Sequence, residues 1–339
     1  MDNINNIKIY DATLRDGNHA VAQQINAQQI IAYASAADSA GISYVEIGHG
    51  NGIGASTLQV GKSPISTIEM LKLARPHLKK SLMATFMLPG WGTIQDLSIA
   101  IDHGVDTVRI GAHCTEANLT ERYIGFLAKQ KIEAHGVLVM SHMATPEQLS
   151  EQARLIEDYG AHAIGFFDSS GNFLPDDVIS RIHAIRSRVK IPIIFHAHNN
   201  LGMAISNSVS AIGAGARIID ACIRGFGAGA GNTQLEVLIA VLDRMGYPTG
   251  IELNKALDVA DLAKNELNFH SPFISTESIV SGMAGVFSGF RTQVLEIAKT
   301  YKISSRDIFY ELGRRRAIAG QEDQIIEVAQ ILKNKISPP

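Results

Sequence analysis

The fold class that this 339-residue sequence predicts is α/β: a (β/α)8 TIM barrel followed by a C-terminal helical domain. Three observations predict it. Short β-rich segments alternate with amphipathic ones up to about residue 250. Polar residues stand just after nearly every strand segment. Beyond Gly250 the strand signals stop while helical patterning continues. Residues 1–253 are therefore expected to form the barrel, the catalytic domain, and residues 254–339 the helical one. A doubly wound open sheet is the competing architecture.

The strand segments, in order, are residues 7–10, 44–47, 81–86, 107–110, 134–140, 163–167, 193–197 and 218–221. Arg15, Asp16 and His19 follow the first, Glu46 and His49 the second, and Pro89-Gly90-Trp91 the third. His113, then Ser141 and His142, then Asp168-Ser169-Ser170 follow the next three. His196, His198 and Asn199 end the seventh, and Arg224 follows the eighth. A barrel enzyme gathers its chemistry on the loops after its strands, so these sets converge on one mouth. Polar residues of purely structural use would scatter over both ends.

Helices are expected over residues 27–40, 94–103, 146–159 and 175–189. Thr145-Pro146-Glu147 places a cap before a first-turn proline, and Pro175-Asp176-Asp177 puts acid in a first turn. In the tail, residues 254–267, 278–301, 305–312 and 322–333 read as helices, with a turn at Ser271-Pro272. The tail is too apolar to stay disordered. It caps the barrel, forms a subunit interface as in a homodimer, or docks a partner.

Composition narrows the function. A formal net charge of -3 without a long basic run argues against nucleic acid. No apolar stretch reaches the roughly 18 residues of a membrane span, and the polar, acidic start is unlike a signal peptide. Two cysteines, Cys114 and Cys222, fit a reducing cytosol rather than a disulfide framework, and neither has a nucleophile's setting. A cytoplasmic protein acting on small molecules is expected.

One pattern carries chemistry. In Thr13-Leu14-Arg15-Asp16-Gly17-Asn18-His19 and His196-Ala197-His198-Asn199, two imidazoles and a carboxylate can share one metal. Alternate side chains of a strand point the same way, so His196 and His198 face together while Ala197 faces away. The absence of thiolates and the need for open positions favour Mn²⁺, Mg²⁺ or Co²⁺. Asn232 is a candidate further ligand through its amide oxygen. Arg15 is either a surface ion-pair residue or an oxyanion stabiliser beside the metal. His19 either moves a proton or braces Asp16. Asp168 is a candidate partner that orients a metal ligand. The run Gly225-Phe226-Gly227-Ala228-Gly229-Ala230-Gly231-Asn232 is a poor dinucleotide loop, since it follows the last strand rather than the first.

At these residues the chain resembles the metal-dependent 4-hydroxy-2-oxovalerate aldolases, class II pyruvate aldolases within the hydroxymethylglutaryl-lyase-like barrels. The wider group is signalled by Thr13-Leu14-Arg15-Asp16-Gly17 and His196-Ala197-His198-Asn199. The narrower match rests on Asp16-Gly17-Asn18-His19-Ala20, Leu88-Pro89-Gly90, His113-Cys114-Thr115-Glu116-Ala117, Ser141-His142-Met143 and Gly227 to Asn232. It continues through Glu311-Leu312-Gly313-Arg314-Arg315 and Gly320-Gln321-Glu322-Asp323, so it spans nearly the whole chain. The resemblance implies retro-aldol cleavage of a 4-hydroxy-2-keto acid to pyruvate and an aldehyde through a metal-bound pyruvate enolate, as in aromatic hydrocarbon catabolism. It implies Mn²⁺ on Asp16, His196 and His198, enolate stabilisation by Arg15, and His19 as acid/base. Arg15, Ser141, Asp168 and Phe287 are the expected substrate contacts. An acylating aldehyde dehydrogenase is the partner it implies for the tail.

The sequence departs from the family pattern at Phe287, in Gly285-Val286-Phe287-Ser288-Gly289-Phe290, where a tyrosine associated with the substrate hydroxyl is usual. His198-Asn199-Asn200 in place of His-His-Asn, and Ser170 in place of a glycine, also suggest an altered pocket. Two competing functions share the wider pattern or the tail. One is a Claisen-type condensation of an acyl-CoA with a 2-keto acid. The other is a catalytically reduced assembly subunit of a dehydrogenase complex.

Overall fold

In the computed structural model, which describes residues 6–336, eight parallel strands close on themselves in sequence order. They are β1 (Lys8–Asp11), β2 (Tyr44–Glu46), β3 (Leu82–Met87), β4 (Thr107–His113), β5 (Glu133–Val139), β6 (Ala163–Asp168), β7 (Ile193–Ala197) and β8 (Ile218–Ala221). β8 pairs back onto β1, with Tyr10 opposite Asp220, and the open-sheet alternative falls. All eight expected strands are present, shifted by at most a few residues at their ends.

Strand alternation sorts the side chains. In β7, Ile193, Phe195 and Ala197 pack outward into the core between sheet and helices, while Ile194 packs inside the barrel. His196 and then His198 continue the inward row. The same parity turns Tyr44 and Glu46 of β2 inward, and Ile218 and Asp220 of β8. The barrel interior is therefore layered. Tyr10, Tyr44, Ala84, Ala163, Ile194 and Ile218 form an apolar floor. Above them lies a layer of charge, and above that the mouth.

The helices carry local start signals as well as an apolar face. Ala27–Ala40 begins with a capping box of Asn26 and Gln29 and ends at Gly41 in the left-handed region. Thr145 and Gln148 form another such box before Pro146–Asp158. Among the described residues, no helix is long and apolar enough to cross a membrane.

Beyond the barrel, the helix Leu253–Asn265 adds Ala256, Val259, Ala260 and Ala263 to the barrel's outer core. Thr276–Met283, Arg291–Tyr301, Ser305–Arg314 and Asp323–Ile336 surround a second core that includes Val286, Phe290, Val294, Phe309 and Leu312. The single helix expected over 278–301 is two helices. Gly285 takes φ 66°, a left-handed turn that the helix cannot continue through, and residues 284–287 run as a loop before a short turn at Ser288–Phe290. That break sends Phe287 down onto the barrel mouth.

Candidate active site

The β1 chain turns sharply at its end. Asp16 N–H donates to Ala12 O at 2.7 Å, and the short helix Gly17–Ala20 follows. A side chain at Gly17 would run into the Phe226 ring, so this turn can close only with glycine there. Asn18 pins it across the mouth, donating to Gly48 O at 2.8 Å and accepting from Ile25 N–H at 3.3 Å.

Asp16 thereby meets His196 and His198. One ligand atom from each lies within 4.8 Å of the others, and all three residues are buried. Asp16 Oδ1 accepts from Arg15 Nη1 at 2.7 Å, and Oδ2 accepts from Asn232 Nδ2 at 2.7 Å and from Ala228 N–H at 3.2 Å. A side chain at Gly227 would collide with both Asp16 and Asn232, which explains the glycine-rich loop: its backbone closes against the carboxylate. Burial opposes the Asp16 charge, but Arg15 and the imidazoles overcome it and hold the carboxyl far below its ordinary range.

Beneath the triad lies a fully buried ionic layer. Glu46 accepts from Arg15 Nε at 2.7 Å and from Arg109 Nε at 2.7 Å. Arg109 Nη1 donates to Asp220 Oδ2 at 2.6 Å, and the same oxygen accepts from His196 Nδ1 at 2.9 Å. Arg109 lies 4.0 Å above the Tyr10 ring, where stacking adds to its pairing. Burial works against ionising Glu46 and Asp220, yet the Arg109 charge beside them leaves both carboxyls below their usual values. With Asp220 ionised, His196 carries its proton on Nδ1 and turns the Nε2 lone pair toward the mouth.

Several buried polar atoms here have no partner among the described residues: His196 Nε2, His198 Nδ1, Asn232 Oδ1 and Arg15 Nη2. Three carboxylates, Asp16, Glu46 and Asp220, face two guanidiniums, so one negative charge is in excess in a buried cluster. Burial, foremost, pushes the His198 imidazole down to about 3, which keeps it neutral and able to donate a lone pair. Unpartnered ring nitrogens and excess negative charge both fit a divalent cation.

A cavity of about 50 Å³ opens over the triad, walled by Arg15, His19, Phe86, Phe167, Ser169 and Phe287 among others. His19 is half-buried, and burial lowers its pKa against the pull of Asp16. The Gln23 amide nitrogen stands 3.4 Å from its Nδ1, and the Gln23 oxygen accepts from Gly50 N–H at 2.9 Å. Phe287 meets His19 edge-on, ring centres 6.2 Å apart.

Arg15, Asp16, His19, His196, His198 and Phe287 are thus brought together, with Asn232 against Asp16. Ser141 and Asp168 are not. Ser141 is buried with its hydroxyl donated to Leu138 O at 2.9 Å, and it does not line the cavity. Asp168 sits at an outward position of β6, its carboxylate accepting from the N–H groups of Asn172 at 3.0 Å and Phe173 at 3.1 Å. Burial pushes its pKa up to about 7. The role of orienting a histidine, expected of Asp168, falls to Asp220. Glu46, Arg109 and Asp220 form the layer that sequence reasoning did not assemble, and Ser169, not Ser141, reaches the cavity.

Comparison with known proteins accounts for both halves of the chain. The HMGL-like family model matches residues 6–263, and a model described as a DmpG-like communication domain matches residues 272–334. The chain is 58% identical over 331 residues to a 4-hydroxy-2-oxovalerate aldolase of Serratia proteamaculans, covering 98% of this chain and 99% of that one. It is 55% identical over 327 residues to one of Streptomyces tendae, covering 96% and 92%. The carboxyl transferase domain of Rhizobium etli pyruvate carboxylase, solved with 3-hydroxypyruvate, shares the fold with a TM-score of 0.82 at 16% identity. That likeness covers 98% of this chain and 61% of the other. A triad at the mouth of an HMGL-like barrel, a matching tail and these full-length relatives lead to one assignment: the chain belongs to the 4-hydroxy-2-oxovalerate aldolase family and is a carbon–carbon lyase.

Proposed function

We propose that the protein cleaves a 4-hydroxy-2-keto acid such as 4-hydroxy-2-oxovalerate to pyruvate and an aldehyde, with one divalent cation on Asp16, His196 and His198. The observation that carries this reading is the triad of one carboxylate and two imidazoles beside the unpartnered Arg15 Nη2. The cation, when bound, supplies Lewis-acid polarisation of the keto acid's oxygens. Mn²⁺ suits the donor set, as do Co²⁺ and Mg²⁺. Asn232 fixes Asp16, and its own buried Oδ1 is the atom a further ligand would use.

The residues divide the remaining work. Arg15 is held by Glu46 through Nε and by Asp16 through Nη1, which leaves Nη2 free to meet a developing enolate oxygen. His19, neutral and steadied by Gln23, takes the proton of the 4-hydroxyl. The C3–C4 bond then breaks: its electron pair stays with the pyruvate half as an enolate, and the other half leaves as the aldehyde. Return of a proton to C3 gives pyruvate. Phe287 and His19 wall the cavity together, so we place the aldehyde half beside them. Leu88, Val139, Met140 and Ala319 also line an adjoining cavity of about 280 Å³, which gives room for the aldehyde's substituent.

The test is release of pyruvate from 4-hydroxy-2-oxovalerate after chelation and after return of Mn²⁺, Co²⁺ or Mg²⁺. Cleavage should vanish with the chelator and return with metal. Cleavage indifferent to chelation, or condensation of acetyl-CoA with a 2-keto acid instead, would sink the reading. We further propose that the protein works in the cytoplasm and that its tail docks an acylating aldehyde dehydrogenase which receives the aldehyde; the match to a communication domain supports this docking. Co-purification from the native host, with and without substitutions at exposed Phe273 and Met283, tests it. A complex that never forms would reject it.

A further inference from the structure

We propose that Asn200 is a positioning residue for the aldehyde side of the site, acting by tying the Phe287 loop to the barrel. The proposal rests on the aldolase reading above. Asn200 is completely buried and lies two residues beyond His198. Its carboxamide uses both ends. Nδ2 donates to Ser170 O at 2.9 Å and to Ser288 Oγ at 3.1 Å, and Oδ1 accepts from Ala230 N–H at 3.1 Å. One side chain thus joins the loop after β6, the glycine-rich loop and the tail.

The packing around it leaves no room for another arrangement. A side chain at Gly171 or Gly229 would collide with Asn200, and one at Gly282 would press on its Cβ. These glycines belong to three separate segments. Their backbones close on Asn200 because they lack side chains.

Phe287 is the residue next to Ser288 on the tied loop. On its other side the loop is held by His142, whose Nε2 donates to Gly285 O at 2.9 Å while Nδ1 accepts from Ser170 Oγ at 3.2 Å. Between them, Ser288 N–H donates to Ser169 O at 3.0 Å, and Ser169 itself walls the cavity. The aromatic ring therefore stands over the cavity on a loop anchored at both ends to barrel residues. Cutting the Asn200 anchor leaves that end of the loop held by Ser288 N–H alone, which loosens the ring and widens the aldehyde side. Cutting only its Ser288 arm leaves the glycine-rich loop on Asp16, and the ionic layer below, in place.

The experiment compares two reactions of the Mn²⁺-loaded enzyme. Exchange of pyruvate C3 protons with deuterium needs only the enolate side; cleavage of 4-hydroxy-2-oxovalerate needs both. In Asn200→Ala and Ser288→Ala, the KM for cleavage should rise and the ratio between the two enantiomers should shift. About tenfold is expected for Asn200→Ala, the factor one buried hydrogen bond commands, and less for Ser288→Ala. Proton exchange should stay within about twofold in Ser288→Ala, which leaves the Asn200 bond to the glycine-rich loop, and so that loop's hold on Asp16, in place. In a Phe287→Ala background, Asn200→Ala should change the enantiomer ratio no further, because its effect runs through the ring. Equal loss of exchange and cleavage in Ser288→Ala, or additive effects in the double variant, would overturn the proposal. Wild-type enzyme that neither exchanges nor cleaves would instead reject the aldolase reading itself.

Discussion

The two walls of the active-site cavity are built differently. One wall hangs from strand ends: Asp16 after β1, His196 in β7 and His198 just beyond it, with Asp16 joined through Arg15, and His196 directly, to the Glu46–Arg109–Asp220 layer. The other is a loop from the tail, in which Phe287 is only half-buried and held through neighbours. Charge in a buried layer must be matched residue by residue, and breaking one partner strands the rest. An aromatic ring on a loop can be exchanged or shifted with far less consequence. The difference teaches where this enzyme can vary: the wall that carries the carboxylate and imidazoles is locked, and the wall that carries Phe287 is adjustable.

The strongest way to break that contrast is to remove a ligand. His196→Ala or Asp16→Ala should lose stoichiometric metal, measured by elemental analysis. Turnover should drop about a thousandfold, from loss of several kcal/mol of charge stabilisation. Full metal content in both variants would contradict the triad assignment. Arg15→Ala should keep the metal and lose about 100-fold in both cleavage and pyruvate proton exchange, as for removal of one oxyanion donor. An unchanged exchange rate would place Arg15 outside the enolate step.

Asp220→Asn probes the layer beneath. It removes the charge that fixes the His196 tautomer without touching the cavity, and metal affinity should weaken about 10-fold or more, read by competition with a chelator. Affinity equal to wild type would show that the layer is merely structural. The smallest effect belongs to the adjustable wall. With the aldehyde half placed beside Phe287 as proposed, Phe287→Tyr adds a hydroxyl there and should raise the enantiomer ratio several-fold, up to about tenfold, with metal affinity unchanged. Identical ratios in both proteins would move the aldehyde site away from Phe287.

How much of this was legible in the sequence follows the same division. The strands announced themselves because apolar runs alternate with capped helices, and residues 193–197 were placed to the residue. His196 and His198 were legible because two-residue spacing on a strand is fixed geometry. The same two-residue spacing turns Asp168 away from the site: Ile164 and Phe166 face the outer core, so two residues on Asp168 faces outward as well. Arg109 and Asp220 could have been found by that rule, since each is a lone charge at an inward position of an apolar strand. The union of Arg109 with Glu46 and Asp220 spans residues far apart in the chain, and only barrel closure brings them together. In the tail, Gly282, Gly285 and Gly289 within eight residues are the signal in the sequence for the break in the helix expected over 278–301. Phe287 is legible through family resemblance alone; periodicity says nothing about a loop.

Arg109 also serves as a witness from inside the molecule. Its guanidinium is shut between Tyr10, Phe167, Glu46 and Asp220, with no exposure to solvent. Its Nε proton can be traded for deuterium only when strands part around it. In an NMR spectrum that single proton, bonded to Glu46, would keep time for the opening of the barrel. Its lifetime separates breathing of the scaffold from motion of the loops above.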